Sequence, residues 1–497
     1  MLLLLTIFCL PLLTHSYKDP HFRGDRNTIV HLFEWKWDDI ASECENFLQH
    51  KGYAGVQVSP PNENLIIEGR PWWERYQPVS YLLITRSGNE SSFKNMAKRC
   101  NAVGVRIYVD AVINHMSAEN GIGTAGSVAN ATYKYFPGVP YGPNDFNEPC
   151  EITNYDDNVN ARNCELVGLK DLDQGKQYVR DKIVEFMNHL IDLGVAGFRM
   201  DAARHIWPPN LKEIYSRLKN LNTQYGFPES ARPFIYQEVS NMGKISNRVI
   251  RFLISNSDRD YANLGTLVEF KYGRSLSNVF RGNDKLKWLV NWGPGWGLLD
   301  GLDAVAFIDN HDTQREQNGQ SLTYKSAKQY KMAIAFMLAH PYGTTRIMSS
   351  YAFTDSNKGP PADNKGNIIS PGFNSDDTCT NGWICEHRWR EIYDMVEFRN
   401  VVAGTSIENW WSNDDQQIAF CRGNKGFIVF TNWGDVERDL QTCLPPGIYC
   451  DVISGKLVGG NCTGKSVTVK RDGKAFIKLG ALEFNGMLAI HAKSKAR

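Results

Sequence analysis

The stretch QYVRDKIVEFMNHLIDLGVAGFRM, residues 177–200, joins two patterns that together indicate the fold. Apolar side chains recur at helical spacing from Val179 to Leu193, and Gly194 follows as a residue that ends helices. A short apolar run, Ala196–Met200, then has the length and composition of a buried strand. The stretch therefore predicts one helix–strand unit of an α/β protein.

Similar units are repeated on both sides of this stretch. The other short apolar or β-branched runs are Thr28–Phe33, Gly55–Ser59, Val105–Val112, Pro233–Val239, Thr266–Phe270, Ala304–Ile308 and Thr345–Met348. Helical patterns separate most of them, for example Asp39–Gln49 and Ser92–Val103. Eight strands that alternate with helices predict a closed parallel (β/α)8 TIM barrel. An open doubly wound sheet is the alternative, but no glycine-rich phosphate-binding loop follows the first run.

Two stretches do not fit the barrel repeat. Residues 114–176 are rich in Gly, Asn, Asp and Pro and are too long for a structureless loop, so we expect a small inserted domain after strand three. Short alternating runs beyond residue 400 predict a C-terminal antiparallel β-sandwich at 401–497. These runs are Gln417–Cys421, Gly426–Thr431, Gly447–Val452, Ser466–Lys470, Lys474–Leu479 and Met487–His491. The barrel would then consist of residues 17–113 and 177–400.

Composition and the first residues limit the class of protein. The 497 residues have a formal net charge of +1, so a nucleic-acid partner is not indicated. The apolar stretch 2–13 is too short to span a bilayer and predicts a signal peptide at residues 1–16, with a buried first strand as the alternative. No later stretch is long and apolar enough for a membrane span. We therefore expect a secreted, extracellular protein without a membrane anchor, and a monomer.

The cysteines are consistent with an oxidising compartment. Removing Cys9 with the leader leaves 10 of the 11 cysteines, an even number that favours disulfides. The ten are Cys44 and Cys100 on successive helical patterns, the closely spaced pairs Cys150 and Cys164, Cys379 and Cys385, and Cys450 and Cys462, and the remaining Cys421 and Cys443. Metal ligation is the alternative for the short spacings, but no companion Cys or His cluster supports it.

Acidic side chains stand at the ends of three predicted strands. Asp201 follows strand four, Glu238 ends strand five and Asp312 follows strand seven. Active groups of a barrel lie at the carboxyl ends of its strands, so we expect these acids to converge. Glycoside hydrolysis needs one nucleophilic carboxylate and one carboxylic acid. Each acid alone is more simply a cap or a surface charge, but three at one rim, flanked by Arg199 and His311, predict a glycosidase.

The segments around these acids resemble the signature regions of the α-amylase family of glycoside hydrolases. They are Asp110–His115, Gly197–His205, Phe234–Val239 and Ala306–Asp312. Further similar stretches are His31–Trp35, Trp72–Gln77, Phe336–Gly343 and Tyr449–Gly455. The resemblance is greatest to the animal chloride-dependent α-amylases and implies cleavage of internal α-1,4 bonds of starch and glycogen, with retention of configuration. A catalytically inactive glycan-binding relative and an α-glucosidase are the alternatives.

The resemblance also implies roles for individual residues. Asp201 would be the nucleophile, Glu238 the acid and then the base, and Asp312 the stabiliser of the transition state. Arg199 lies two residues before Asp201 on the same strand face and should keep Asp201 ionised. The expected sugar-binding residues are Trp72, Trp73, Tyr76, Gln77, His115, Tyr155, Arg204, His205 and His311. Core packing is the alternative role for the two tryptophans.

A structural calcium ion is implied at the junction of the barrel and the inserted domain. The implied ligands are Asn114, Asp171 and the main-chain carbonyls of Arg162 and His205. Oxygen donors of this kind suit calcium and do not suit zinc.

An activating chloride ion is implied by Arg199, Asn310 and Arg346. A buried anion near Glu238 would disfavour its ionised form and raise its pKa. The alternative for Arg346 is a pair with a buried acid.

The sequence departs from the vertebrate enzymes in several places, which include Arg204 where they have Lys and Ser240 where they have Ile. A further vertebrate disulfide is absent, since its two positions are Ile84 and Ser117 here, while Cys421 and Cys443 offer an extra pair. The loop after strand seven is shortened to Gln314–Gly319. These features are similar to those of an invertebrate digestive enzyme.

Overall fold

The computed structural model describes residues 17–239, 260–316, 319–483 and 485–497. The predicted signal peptide lies outside the described residues. The barrel strands are β1 (Thr28–Leu32), β2 (Gly55–Val58), β3 (Arg106–Ala111), β4 (Gly197–Met200), β5 (Phe234–Gln237), β6 (Thr266–Val268), β7 (Ala304–Ala306) and β8 (Thr344–Ser349). Each strand pairs with the next, and β1 pairs in parallel with β8, so the sheet closes. The predicted (β/α)8 barrel is confirmed.

The barrel strands are hydrophobic on both faces because helices cover the outside and side chains fill the inside. Every residue of β1 to β5 is buried. The interior also contains a polar layer, in which Gln57 of β2 accepts hydrogen bonds from Arg346 of β8 and Tyr236 of β5. This layer lies inside the barrel, below the carboxyl ends of the strands.

The α-helices pack around the barrel and on its loops. They are α1 (Trp37–Glu43), α2 (Glu90–Ala102), α3 (Asn158–Asn163), α4 (Gln177–Asp192), α5 (Pro208–Ser216), α6 (Phe270–Phe280), α7 (Ala327–Ala339) and α8 (Arg390–Val401). The predicted helix Asp39–Gln49 is not uniform: after α1 it widens into a π-helical segment, Cys44–Leu48, and continues as Gln49–Lys51. Gly52, with φ of 77°, ends it.

Short 3₁₀-helices connect many of these elements. They are Trp72–Tyr76, Pro143–Asp145, Leu166–Gly168, Ala203–His205, Thr223–Tyr225, Leu286–Asn291, Pro294–Trp296, Gly301–Asp303, Thr313–Arg315, Tyr324–Ser326, Glu386–Arg388 and Ala492–Ser494. No helix in the described part of the chain has the length and apolarity needed to cross a bilayer.

The segment between β3 and α4 contains α3 and short strands. His115–Met116 pairs antiparallel with Lys170–Asp171, and Gly121–Ile122 pairs with Val128–Ala129. The first pairing brings the two ends of the segment together beside the mouth of the barrel. Another two-residue pair, Ile84–Thr85 with Gly88–Asn89, precedes α2.

The C-terminal part is all-β and antiparallel, as predicted. Its strands are β9 (Ile407–Ser412), β10 (Gln417–Arg422), β11 (Gly426–Thr431), β12 (Val436–Gln441), β13 (Gly447–Cys450), β14 (Ser466–Val469), β15 (Lys474–Leu479) and β16 (Met487–His491). One sheet has the order β9-β10-β11-β16, and β12 pairs with β15 and β13 with β14. Leu457–Val458 also pairs with Asn461–Cys462. A buried cluster that includes Phe427, Ile477 and Leu488 lies between these sheets.

Disulfides join distant and neighbouring elements of the described chain. They are Cys44–Cys100, Cys150–Cys164, Cys379–Cys385, Cys421–Cys443 and Cys450–Cys462. The first joins the π-helical segment to α2, and the second closes a loop in the segment between β3 and α4.

Candidate active site

One buried guanidinium contacts carboxylates from three neighbouring strand ends. Arg199 of β4 is 1% exposed. Its Nη1 lies 2.6 Å from Asp110 Oδ1 and 2.8 Å from Asp201 Oδ1, and its Nη2 lies 2.8 Å from Glu238 Oε1. Such charge-assisted hydrogen bonds fix the relative positions of the three acids.

The backbone holds Asp201 and Glu238 on extensions of their strands. The Asp201 amide donates to the carbonyl of Ala111, and the Glu238 amide donates to that of Met200. Ala202, the residue after Asp201, has φ of 47°, a left-handed conformation that costs an L-residue about 1–2 kcal/mol. The turn directs the amide of Ala202 to Glu238 Oε2 at 2.9 Å. Glu238 therefore has one oxygen on Arg199 and the other on the backbone.

Asp312 lies on a tight turn in the segment that follows β7. Asn310 Oδ1 accepts hydrogen bonds from the amides of Asp312 and Thr313 at 3.0 and 2.7 Å. His311 Nε2 lies 3.2 Å from Asp312 Oδ2. The side chain of Asp312 remains 41% exposed to the cleft, whereas that of His311 is almost fully buried. The turn thus leaves the Asp312 carboxylate open to a ligand in the cleft, while His311 contacts it from the protein side.

The acids at the mouth outnumber the cation that they share. Burial raises the pKa of Asp201 well above its usual value, and Glu238, Asp110 and Asp312 add to the increase against the opposing effect of Arg199. Burial and the nearby Glu238 raise the pKa of Asp312 to about 7. Arg199 acts on the pKa of Asp201 in the direction expected from sequence, and burial and the neighbouring acids act in the opposite direction.

Aromatic side chains form one wall of the cleft. The Tyr76 ring stacks on His311, with ring centroids 5.0 Å apart, and its hydroxyl donates to Asp110 Oδ2 at 2.8 Å. Trp72 packs edge-on against His311 at 5.4 Å. Trp72 and Trp73 are partly exposed. Faces of this kind can stack on the apolar faces of pyranose rings.

The indole nitrogens of both tryptophans bind the loop that follows β8, the strand on the other side of β1 from β2. Trp72 Nε1 donates to the carbonyl of Ser356 at 2.9 Å, and Trp73 Nε1 donates to Asn357 Oδ1 at 3.2 Å. The rings are therefore held in place without being buried in the core.

The opposite wall contains Tyr155, Arg204 and His205. Arg204 Nη2 donates to the Tyr155 carbonyl at 2.7 Å, and the rings of Tyr155 and His205 lie 6.1 Å apart. Nδ1 of His205 contacts the carbonyl of Ala161 at 2.6 Å. Tyr155 is 38% exposed, so its ring is available to a ligand.

Two further predicted sugar-binding residues are already engaged with protein atoms. His115 Nε2 contacts the carbonyl of Tyr76 at 3.1 Å, and its Nδ1 lies 3.3 Å from the Asn114 amide nitrogen. Gln77 Oε1 accepts from the amide of Ala118 at 2.8 Å. Both residues order the wall of the cleft in this structure.

Sequence reasoning missed the roles of Asp110 and Arg315. Asp110 lies within β3, is fully buried and contacts both Arg199 and Tyr76. A carboxylate next to the carboxyl end of a fully buried strand was the available signal. Arg315 donates to the carbonyl of His311 at 2.6 Å, and its guanidinium lies 5.0 Å from the Trp72 ring. No sequence pattern identified that contact.

The residues implied for calcium offer oxygen atoms that the protein leaves without partners. Asn114 Oδ1 and Asp171 Oδ1 are buried and accept no hydrogen bond within the described chain. The Leu172 amide donates to the Asn114 carbonyl, which keeps the two side chains adjacent. Arg162 lies in the last turn of α3, where carbonyls have no helical partner. This donor set fits calcium.

A cluster of three or more His, Cys, Asp or Glu side chains suited to a metal ion is not found among the described residues. That result agrees with a site built from one carboxylate, one amide and carbonyl groups.

The residues implied for chloride also fit an anion. Arg346 is 2% exposed, and within residues 17–239, 260–316, 319–483 and 485–497 it forms no ion pair with a carboxylate. Nη1 of Arg346 donates to Gln57. The Asn310 amide oxygen accepts two backbone amides, so its NH₂ group is the end left to donate to a ligand. The described residues thus give no support to the alternative that Arg346 pairs with a buried acid.

Comparisons with known protein families agree with this site. The profile described as "Alpha amylase, catalytic domain" matches residues 48–246, and "Alpha amylase, C-terminal all-beta domain" matches residues 410–493.

Similar proteins cover nearly the whole chain. An α-amylase of Tenebrio molitor is 62% identical over 96% of this chain and 100% of its own length. An α-amylase of Tribolium castaneum is 60% identical over 98% of this chain and 99% of its own. The crystal structure of wild-type α-amylase I from Eisenia fetida has a TM-score of 0.89 at 44% identity, and covers 95% of this chain and 98% of that one.

Proposed function

The chain belongs to the α-amylase family of glycoside hydrolases, and on that premise we propose that it hydrolyses internal α-1,4-glucosidic bonds of starch, glycogen and malto-oligosaccharides with retention of configuration. The observation that carries the proposal is the shared contact of Asp201 and Glu238 with Arg199, at 2.8 Å each. Two carboxyl groups held close together at the mouth of a barrel are what a retaining glycosidase requires.

In the first step Asp201 attacks the anomeric carbon while Glu238 protonates the glycosidic oxygen. The bond to the leaving sugar breaks, and a glycosyl ester forms on Asp201. In the second step Glu238, now a carboxylate, removes a proton from water, which attacks the same carbon. The ester breaks, the sugar leaves with its original configuration, and both acids regain their starting protonation.

The other residues of the cleft bind and orient the sugar. Asp312, anchored by His311 and open to the cleft, would accept hydrogen bonds from sugar hydroxyls as the ring flattens in the transition state. Trp72, Trp73 and Tyr76 would stack on the non-reducing side, with Tyr155 opposite. Gln77, His115, Arg204 and His205 complete the proposed sugar-binding set. Asp201 attacks as the carboxylate, and Glu238 gives its proton to the oxygen of the leaving sugar.

Two ions are part of the proposal. Calcium would be held by Asn114, Asp171 and the carbonyls of Arg162 and His205, where it would join residues 114–176 to the barrel. Arg199, Asn310 and Arg346 would hold chloride, which supplies negative charge that disfavours ionisation of a nearby carboxyl group.

We also propose the domain boundaries and the location of the protein. Residues 17–113 and 177–400 form the barrel domain, 114–176 the inserted domain and 401–497 the C-terminal domain. Residues 1–16 are a signal peptide, and the mature protein is a secreted monomer. Its five disulfides support an oxidising compartment.

The test is an assay on soluble starch with and without chloride. Internal cleavage predicts a rapid loss of iodine colour with little free glucose, whereas an α-glucosidase releases glucose first and an inactive relative does neither. Chloride should raise the rate of the wild type and have much less effect on Arg346→Gln. Equal chloride activation of the two proteins would remove the chloride assignment and leave the glycosidase assignment in place.

A further inference from the structure

Four buried polar atoms behind the acid cluster have no hydrogen-bond partner within the described chain. They are Nδ1 and Nε2 of His31, Nε2 of Gln57 and Nδ1 of His311. His31 and Gln57 are fully buried, and His311 is 2% exposed. Each unsatisfied buried group costs roughly 1–3 kcal/mol, so four from three neighbouring residues point to a shared role.

His31 lies between the other two residues. It occupies β1 directly opposite Gln57 of β2 in the parallel pairing. Its ring is perpendicular to that of His311, with centroids 5.6 Å apart. None of the contacts to Asp201, Glu238 or Arg199 uses this ring. The three residues thus connect the polar layer of the barrel interior to the mouth.

The unpaired atoms on the two sides of His31, Gln57 Nε2 and His311 Nδ1, differ in hydrogen-bonding character. Gln57 Oε1 accepts from Arg346 Nη1 at 2.7 Å and from the Tyr236 hydroxyl at 2.9 Å, so the unpaired Nε2 of Gln57 is a donor. At the other end, His311 Nε2 lies 3.2 Å from the Asp312 carboxylate. When Asp312 is ionised its carboxylate accepts, which places the proton of His311 on Nε2 and makes Nδ1 an acceptor.

A neutral His31 has both an acceptor for the Gln57 donor and a donor for the His311 acceptor. Burial lowers the pKa of His31 well below its usual value, and the charges of Arg346 and Arg199 lower it further. The neutral ring has one nitrogen that accepts and one that donates. It can therefore accept from Gln57 on one side and donate to His311 on the other.

We propose that His31 is a positioning residue, which is linked through buried water to the donor group of Gln57 and to the acceptor nitrogen of His311 and so holds His311 in the tautomer that binds Asp312. Buried water molecules bridge each step, as they commonly do between buried polar groups. The inference rests on the proposed function, in which Asp312 stabilises the transition state. An incorrectly protonated His311 would leave Asp312 free to move away from the reacting sugar.

Two substitutions separate hydrogen bonding from packing. His31→Phe keeps a ring of similar size without nitrogen atoms, and His31→Gln keeps a donor and an acceptor. We expect His31→Phe to lower kcat on maltopentaose on the order of 10-fold to 100-fold, with KM changed much less. His31→Gln should recover most of that loss. His340→Phe, a buried histidine outside the cleft, is the control for loss of an imidazole and should leave kcat unchanged.

The ¹⁵N-labelled wild type provides a readout that does not depend on activity or on folding of a variant. The imidazole spectrum should place the His311 proton on Nε2, and His31→Phe should give a mixture of tautomers. A proton on Nδ1 in the wild type would overturn the proposal. So would equal loss of kcat in His31→Phe and His31→Gln, or no loss in either. Absence of starch cleavage by the wild type would instead contradict the proposed function, while the spectrum still tests the tautomer.

Discussion

Two buried charge clusters in this molecule have opposite compositions. In the acid-rich cluster at the barrel mouth, Arg199 contacts Asp110, Asp201 and Glu238, and Asp312 lies close enough to be influenced by them. In the base-rich cluster between α1 and the 3₁₀-helix Glu386–Arg388, one carboxylate, Glu43, faces two bases. Arg388 binds Glu43 through both carboxylate oxygens at 2.7 Å, and His387 Nε2 lies 2.8 Å from Oε1.

The two clusters shift carboxyl pKa values in opposite directions. Burial alone would raise the pKa of Glu43, but hydrogen bonds from His387 and Arg388 outweigh it and lower the pKa. At the mouth, burial and repulsion from neighbouring acids raise the pKa of Asp201 against Arg199, and the pKa of Asp312 against Arg199 and Arg315. A matched cluster fixes charge and supports the fold, whereas an acid-rich cluster retains protons that can be transferred in a reaction.

The largest expected effect is on activity at the acid-rich cluster. Asp201→Asn removes the proposed nucleophile, and we expect kcat to fall by at least about four orders of magnitude. The free energy of unfolding should stay the same or increase, because one of the repelling carboxylates is lost. Starch hydrolysis and urea denaturation measure the two quantities. A variant that retains a tenth of the wild-type activity would contradict the role of Asp201.

The converse substitution in the base-rich cluster should affect stability. Glu43→Gln leaves the guanidinium of Arg388 buried without its counter-charge, so we expect a loss of about 3–5 kcal/mol in the free energy of unfolding. Glu45→Gln is the matched control, since Glu45 pairs with Arg99 near the surface and should cost roughly 0–1 kcal/mol. Equal losses in the two variants would show that burial and counter-charge do not distinguish these pairs.

Asp171 is a third kind of buried carboxylate, for which we propose an external cation. Calcium at 100 times its Kd should stabilise the wild type by about 2.7 kcal/mol. Asp171→Asn should lose most of this gain, while Asp173→Asn, which alters a partly exposed neighbour, should keep it. Thermal unfolding with calcium or with chelator measures the difference. A full calcium response in Asp171→Asn would remove this residue from the site.

The smallest effect concerns the pH dependence of stability. The pKa of Asp312 rises from its usual 3.8 to about 7 in the folded protein. Between these values the folded state binds more protons than the unfolded state, so this group makes stability fall as pH rises from about 4 to 7. Asp312→Asn should therefore have a higher Tm relative to wild type at pH 7 than at pH 4. The opposite trend would contradict the raised pKa.

The sequence predicted the barrel well because each strand is short, apolar and followed by a helical pattern. It missed β9 and β12, whose residues do not alternate regularly between buried and exposed positions. In β12, VERDLQ, three consecutive side chains are exposed and only the outer apolar residues are buried. Pairing with β15 forms this strand, and that pairing is a tertiary effect which local sequence does not contain.

The positions of the acids in the site could be predicted from the sequence, but their pKa values could not. Asp201, Glu238 and Asp312 follow strands, and their positions come from topology. The protonation of Asp201 depends on Asp110, which shares the same guanidinium from a different strand. The sequence argument considered only the pair Arg199 and Asp201, so it did not include the competing carboxylate of Asp110. The positions of groups are thus easier to predict from sequence than their electrostatic balance.

The direct test of the proposed retaining mechanism is the anomeric configuration of the first products. Maltopentaose cleavage can be followed by ¹H NMR in the first turnovers, before mutarotation equilibrates the new reducing ends. Attack by Asp201 and then by water inverts the anomeric carbon twice, so α-anomers should appear first. Initial release of β-anomers would show a single displacement by water and would contradict the role of Asp201 as nucleophile.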